Sequence, residues 1–97
     1  MTTLRVRPEA ELDMFEAALW YERERASLGA AFLAAVKCVF GRIEEGALQF
    51  PLSRTTIRRA ILPRFPFGVF FTIEGDTATV LAVMHLHRNP SSWESRR

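Results

Sequence analysis

Residues 67–90 read Phe67-Gly68-Val69-Phe70-Phe71-Thr72-Ile73-Glu74-Gly75-Asp76-Thr77-Ala78-Thr79-Val80-Leu81-Ala82-Val83-Met84-His85-Leu86-His87-Arg88-Asn89-Pro90, and the reading of this stretch decides the fold. Two long apolar runs flank Gly75-Asp76, a pair suited to the two-residue turn of a β-hairpin. Setting Glu74 against Thr77 fixes a register. Ile73 then faces Ala78, Phe71 faces Val80, Val69 faces Ala82 and Phe67 faces Met84. That set is wholly apolar and needs a layer to pack against. The other face carries Gly68, Phe70 and Thr72 opposite Val83, Leu81 and Thr79. A slip of one residue would mix the two sets. Continued to the open end of the hairpin, the register sets Pro66 opposite His85 and Arg64 opposite His87. The second face thus changes from apolar at the turn to basic and imidazole-bearing at the open end.

Working outward, Thr56–Leu62 alternates as a strand, with Ile57, Arg59 and Ile61 on one side and Arg58, Ala60 and Leu62 on the other. Pro63-Arg64 turns it into the hairpin, which places Arg59 opposite Gly68 on the face of His85. Residues 49–55 read as a loop. Two helical patterns precede it. The first begins at Pro8, where the missing N–H costs nothing, and runs to about Arg23, with Leu12, Phe15, Ala18 and Leu19 as its apolar stripe. The second starts after Ser27, the expected cap, carries Phe32, Val36, Val39, Phe40 and Ile43 at helical spacing, and ends near Gly46. The short link between them predicts an antiparallel helical hairpin. Thr3–Arg7 alternates as a short first strand. The expected architecture is α+β: a β-α-α-β-β-β two-layer domain over residues 1–97, the helical hairpin packed on one face of a mainly antiparallel four-stranded sheet.

With 97 residues, 48% of them hydrophobic and 25% charged, the chain has the balance of a soluble globular domain with a modest core. No apolar run reaches membrane-spanning length and none follows Met1, so a cytoplasmic protein is expected, with no membrane partner. The single Cys38 excludes an internal disulfide and is expected to fill a small apolar gap. The net charge of +2 is unevenly placed. Arg54, Arg58, Arg59, Arg64, Arg88, Arg96 and Arg97 lie in the second half, while most acids lie in the first. A basic half calls for an anionic partner, a nucleic acid or an acidic protein segment.

The sequence holds no glycine-rich phosphate loop, no paired-cysteine site and no nucleophile elbow, so no cofactor is expected. His85 and His87 share a strand face, but no carboxylate or thiol stands near them in sequence, so no metal site is expected. Histidine and arginine together suit another chemistry. Cleavage of RNA through its 2′-hydroxyl needs a proton acceptor, a proton donor and positive charge. Arg59, Arg64, His85, His87 and Arg88 carry such groups. Trp93 follows Asn89-Pro90-Ser91-Ser92 and is expected to fold back on the body as a hydrophobic plug.

Several segments, taken in order, resemble the RelE/ParE toxin superfamily. They are Trp20-Tyr21-Glu22, Leu28-Gly29-Ala30-Ala31-Phe32, Ile57-Arg58-Arg59, Arg64-Phe65-Pro66-Phe67 and His85-Leu86-His87-Arg88-Asn89-Pro90-Ser91-Ser92-Trp93. The resemblance spans nearly the whole chain. It implies the bacterial toxin of a type II toxin–antitoxin system, also described as a plasmid stabilisation protein, neutralised by a cognate antitoxin that wraps a helix and an extended segment around it. RelE-like members cleave mRNA, usually on the ribosome. ParE-like members poison DNA gyrase. The ribonuclease branch carries basic residues at alternate positions of the second strand, an arginine early in the third and another near the end of the fourth. Arg59 and Arg88 stand at two of those positions. Ile61 and Gly68 stand where two further basic residues are expected, and Trp93 close to an aromatic acid–base position. These departures, with Phe65-Pro66-Phe67 and the His85–Pro90 segment, bring the chain nearer the ParE branch. The resemblance therefore implies a gyrase inhibitor whose target-binding residues are Arg59, Arg64, His85, His87, Arg88 and Trp93. The alternatives are an mRNA endoribonuclease using Arg59, His85, His87 and Arg88, and a degenerate member that binds its antitoxin without toxicity.

Overall fold

Pro8 and Gly46 bracket two helices, and the rest of the chain builds a sheet beneath them. The structure, a computed structural model, describes residues 1–96. Arg97, counted above in the basic half, lies outside the described residues. The chain runs β1 (Thr3–Val6), α1 (Pro8–Glu24), α2 (Leu28–Gly46), β2 (Leu52–Arg54), β3 (Ile57–Ile61), β4 (Phe67–Glu74) and β5 (Thr77–His85), with 3-10 turns at Ala47–Gln49, Pro90–Ser92 and Glu94–Arg96. The strands form one sheet in the order β1-β5-β4-β3-β2. β1 lies parallel to β5, and the other neighbours are antiparallel. The two-layer α+β arrangement is as expected, but the sheet has five strands rather than four. Leu52–Arg54, read as loop, pairs with β3. All three of its side chains are exposed, so no alternation of burial marked it.

The helical hairpin closes tightly for identifiable reasons. Ser27 takes a left-handed conformation, φ 72°, and its hydroxyl makes no cap. Glu22 of α1 does the capping instead: its carboxylate accepts from the N–H groups of Ser27 and Gly29, each at 2.9 Å. A carboxylate at this helix start also complements the helix dipole. Gly29 lets the helices touch, since a Cβ there would stand 2.5 Å from the Ala18 carbonyl oxygen. Tyr21 stacks on Phe32 with ring centres 5.3 Å apart. The Trp20-Tyr21-Glu22 and Leu28–Phe32 segments thus meet as one corner.

The face α1 turns to the sheet differs from the expected one. Ala10, Asp13, Met14 and Ala18 are buried, whereas Leu12, Phe15 and Leu19 are exposed. Small residues on the inner side bring the helix close to β5, and the larger stripe is left outside. Cys38, expected as an interior filler, is also exposed. Phe32, Val36, Val39 and Ile43 of α2 are fully buried and pack with Val69, Phe71, Ala78 and Val80 of the hairpin, while Phe40 is only partly buried.

The β4–β5 register holds near the turn and breaks beyond it. Gly75 takes φ 60°, as the turn requires. Glu74 faces Thr77, Ile73 faces Ala78 and Phe71 faces Val80 as expected. Between Phe70 and Phe71 the register shifts: Phe70 faces Ala82, Val69 faces Val83 and Phe67 faces His85. Leu81 is the extra residue of a β-bulge. Leu81 and Ala82, neighbours in sequence, both enter the small cluster on the sheet face away from the helices. Every residue after the bulge changes sides. His85 therefore lies on the helix side, beside Phe67, and not on the face of Arg59. Arg59 is paired with Phe70, and Ile61 with Gly68. Pro66 meets Leu86, whose N–H donates to its carbonyl at 2.9 Å, in place of His85, and the pairing of Arg64 with His87 is lost with it. Among the described residues no helix is long and apolar enough to cross a membrane.

Candidate functional site

β5 ends in a turn in which the Arg88 N–H donates to the His85 carbonyl at 2.9 Å. Within it the His87 N–H donates to His85 Nδ1 at 3.1 Å, which fixes Nδ1 as an acceptor. The imidazole of His85 meets the Phe67 ring edge-on at 5.4 Å and the His87 ring at 5.3 Å. His87 and Arg88 are exposed, and His85 is half-buried. His85 and Arg88 open onto a cleft of about 350 Å³ whose other wall is α1, lined by Glu16, Trp20 and Tyr21.

Arg59 lies on the opposite side of the sheet. Its stem crosses Gly68, where an added Cβ would sit 3.3 Å from Arg59 Cγ and 3.1 Å from Leu86 Cδ2. A side chain at Gly68 would need Arg59 and Leu86 to give way by a few tenths of an ångström. Arg64 is exposed in the turn between β3 and β4, with φ 69°, and its guanidinium lies 5.9 Å from the Phe65 ring centre. The structure thus brings His85, His87 and Arg88 together and leaves Arg59 on the other face. The five groups expected on one surface are divided by the bulge. Among the described residues no three His, Cys, Asp or Glu side chains gather as metal ligands would.

Trp93 is 1% exposed. It lies against Phe70, ring centres 4.4 Å apart, over Ile57, Leu81 and Ala82. It is the plug that the sequence suggested. The motif before it is a delivery device. Asn89 Oδ1 accepts from the Ser91 N–H at 3.0 Å, Pro90 starts a 3-10 turn, and the Trp93 N–H closes on the Pro90 carbonyl at 3.1 Å.

A second surface lies on the outer side of the helical hairpin. Leu12 is 59% exposed and Leu19 62%, and Phe15 and Trp20 are also exposed. Phe15, Ala18 and Leu19 of α1 face Gly29, Ala30 and Leu33 of α2 across an almost wholly apolar groove of about 370 Å³. The close crossing at Gly29 and Ala18 makes its floor, and Phe15, Leu19 and Leu33 make its sides. The signal was present in sequence: α1 carries a second apolar series, Ala10, Met14, Ala17 and Tyr21, able to serve as the inner face.

No protein-family model matches the chain, and no curated protein does. Among solved structures, a chain of the chromosomal ParDE TA system from P. aeruginosa shares the fold. Its TM-score is 0.68 at 21% identity, over 88% of this chain and 96% of that one.

Proposed function

We propose that this chain is a ParE-like member of the RelE/ParE superfamily: a cytoplasmic growth inhibitor that acts by binding DNA gyrase and is neutralised by a cognate antitoxin. The observation that carries the reading is the outward apolar stripe of α1 and the groove it forms with α2. Such a groove fits an amphipathic helix, whose anchors at helical spacing would replace water on Phe15, Leu19 and Leu33. An extended continuation of the antitoxin adds to a sheet edge, and its acidic residues meet the arginines, which makes association sensitive to salt. The likeness to a ParDE chain supports the same assignment.

The target-binding end is the one bearing His85, His87 and Arg88, with Arg64 and Arg59 nearby in the topology and Trp93 shaping it from beneath. Binding is favoured over RNA cleavage by the separation of the charged groups. A nuclease needs its acid, base and charge around one phosphate, whereas His85 and Arg59 lie on opposite sides of the sheet. Gly68 adds no charge of its own.

Controlled expression tests this, with growth, mRNA integrity and plasmid supercoiling scored together. Arrested growth with altered supercoiling and intact mRNA is expected, and purified protein should alter gyrase activity. Ribosome-associated mRNA cuts that vanish in His85→Ala or His87→Ala would replace this reading with the ribonuclease one. Growth that is never arrested would leave a non-toxic antitoxin-binding member.

A further inference from the structure

Beyond Val80, β5 has no strand on its outer side among the described residues. β1 ends its pairing at Val6 opposite Val80, and the chain turns into α1 at Pro8. Two backbone groups on that uncovered edge are met by side chains instead. Asp13 of α1, 9% exposed, is the one buried charged residue among the described residues, and it accepts from the Val83 N–H at 3.1 Å. Arg96 of the tail donates from Nη1 to Asp13 Oδ2 at 2.7 Å and from Nη2 to Oδ1 at 3.3 Å. Its Nη1 also donates to the Leu81 carbonyl at 3.2 Å. The ion pair stands where a neighbouring strand's backbone would stand, giving one acceptor and one donor to the edge. One of those edge groups belongs to the bulge residue Leu81 and the other lies just past it, and Leu81 and Ala82 are the floor beneath Trp93. Carboxylate, bulge, guanidinium and indole form one assembly.

We infer that Asp13 is a positioning residue for the open end of the sheet. By holding Arg96 it draws the tail across the bulge, seats Trp93 and fixes the turn that presents His87 and Arg88. A two-point carboxylate–guanidinium pair is among the stronger polar contacts, and removing Arg96 leaves Asp13 a buried, uncompensated charge. Arg96 lies one 3-10 turn beyond Trp93 and its N–H donates to the Trp93 carbonyl at 3.0 Å, so the guanidinium and the indole are fastened together. The tail's other ion pair, Glu94 with Arg54 at 3.2 Å, is too exposed to replace it. The identity of that end as the gyrase surface rests on the function proposed above. The holding of the tail does not.

The test uses the full chain carrying Trp20→Phe, so that Trp93 is the remaining tryptophan of the two. Asp13→Asn, Arg96→Gln and Arg96→Lys are added one at a time. Asparagine keeps an acceptor for the Val83 N–H, and Arg96 lies outside the main core, so a native far-UV spectrum is expected in all three. Acrylamide quenching of Trp93 and tryptic cleavage after Arg88 should rise several-fold in Asp13→Asn and Arg96→Gln, and less in Arg96→Lys, which keeps the charge. Inhibition of gyrase supercoiling should fall in the same order. Trp93 as protected in Asp13→Asn and Arg96→Gln as in the parent overturns the inference. Trp93 released with gyrase inhibition unchanged upholds the clasp and rejects the open end as the target surface.

Discussion

The two faces of the sheet are buried by different means. On one, two helices lay a continuous layer over Val69, Phe71, Ala78 and Val80, and Tyr21, Phe32, Phe65 and Phe67 interlock with ring centres 4.9–6.0 Å apart. On the other, a few buried side chains, Ile57, Phe70, Leu81 and Ala82, are closed over by one indole on a short tail. The first face holds itself together through many mutual contacts, so losing one leaves others. The second depends on a single ring and a single ion pair. Stability therefore resides on the helix side, and the side with the tail is the one a single change can open.

The largest expected effect falls on the first face. Phe71→Ala should lower unfolding free energy by about 3–5 kcal/mol, read from urea denaturation; an unchanged midpoint would show that the helix face is not the main core. Trp93→Ala should cost about 3 kcal/mol, the low end for a buried aromatic, because the tail can relax over the gap it leaves. If Trp93→Ala proved costlier than Phe71→Ala, the ranking of the two faces would be reversed. Leu19→Glu reaches neither face. It should leave stability within about 0.5 kcal/mol of the parent while weakening antitoxin binding by about tenfold or more, measured by calorimetry. A large loss of stability in Leu19→Glu would return the outer stripe of α1 to the core.

The smallest effect concerns Tyr21, which joins the helices to the aromatic cluster. Burial raises its hydroxyl above the ordinary 10.0, so the folded state favours the neutral ring. The contribution is complete below the ordinary value and is lost as pH rises through the folded one. Tyr21→Phe should therefore flatten the alkaline limb of a melting-temperature profile and leave the profile below about pH 9 unchanged. An alkaline limb unaffected by Tyr21→Phe would remove Tyr21 as its source.

What could be read from the sequence follows from where local rules govern. Gly75-Asp76 dictates its own turn, and each pair up to Phe71 and Val80 follows from it. Helical spacing located both helices, and Asn89-Pro90 announced the return of Trp93. The bulge was not legible, because Leu81-Ala82-Val83 is apolar on any register and alternation cannot reveal an extra residue there. That one residue carried His85 to the wrong face and with it the expected cluster of histidine and arginine. The inner face of α1 was misread for a related reason: hydrophobic size suggested Leu12, Phe15 and Leu19, whereas closeness to β5 selects Ala10, Met14 and Ala18. No local rule assigns a partner to Asp13 or Glu22. Only the tertiary fold brings Arg96 to one and the start of α2 to the other.

The parallel pairing of β1 with β5 sets an order of events. Among the described residues, the first strand of the chain has the last strand as its one neighbour in the sheet. During synthesis Thr3–Val6 leaves the ribosome long before Thr77–Val80 exists, so the sheet cannot close from its N-terminal end. The helical hairpin, built on contacts near in sequence, can form early, but its inner face must wait for the strands it covers. Closing so long a loop is slow relative to local structure. The sheet therefore closes late, after Thr77–Val80 emerge, and until then the apolar inner side of α2 stays open to any binder that arrives first.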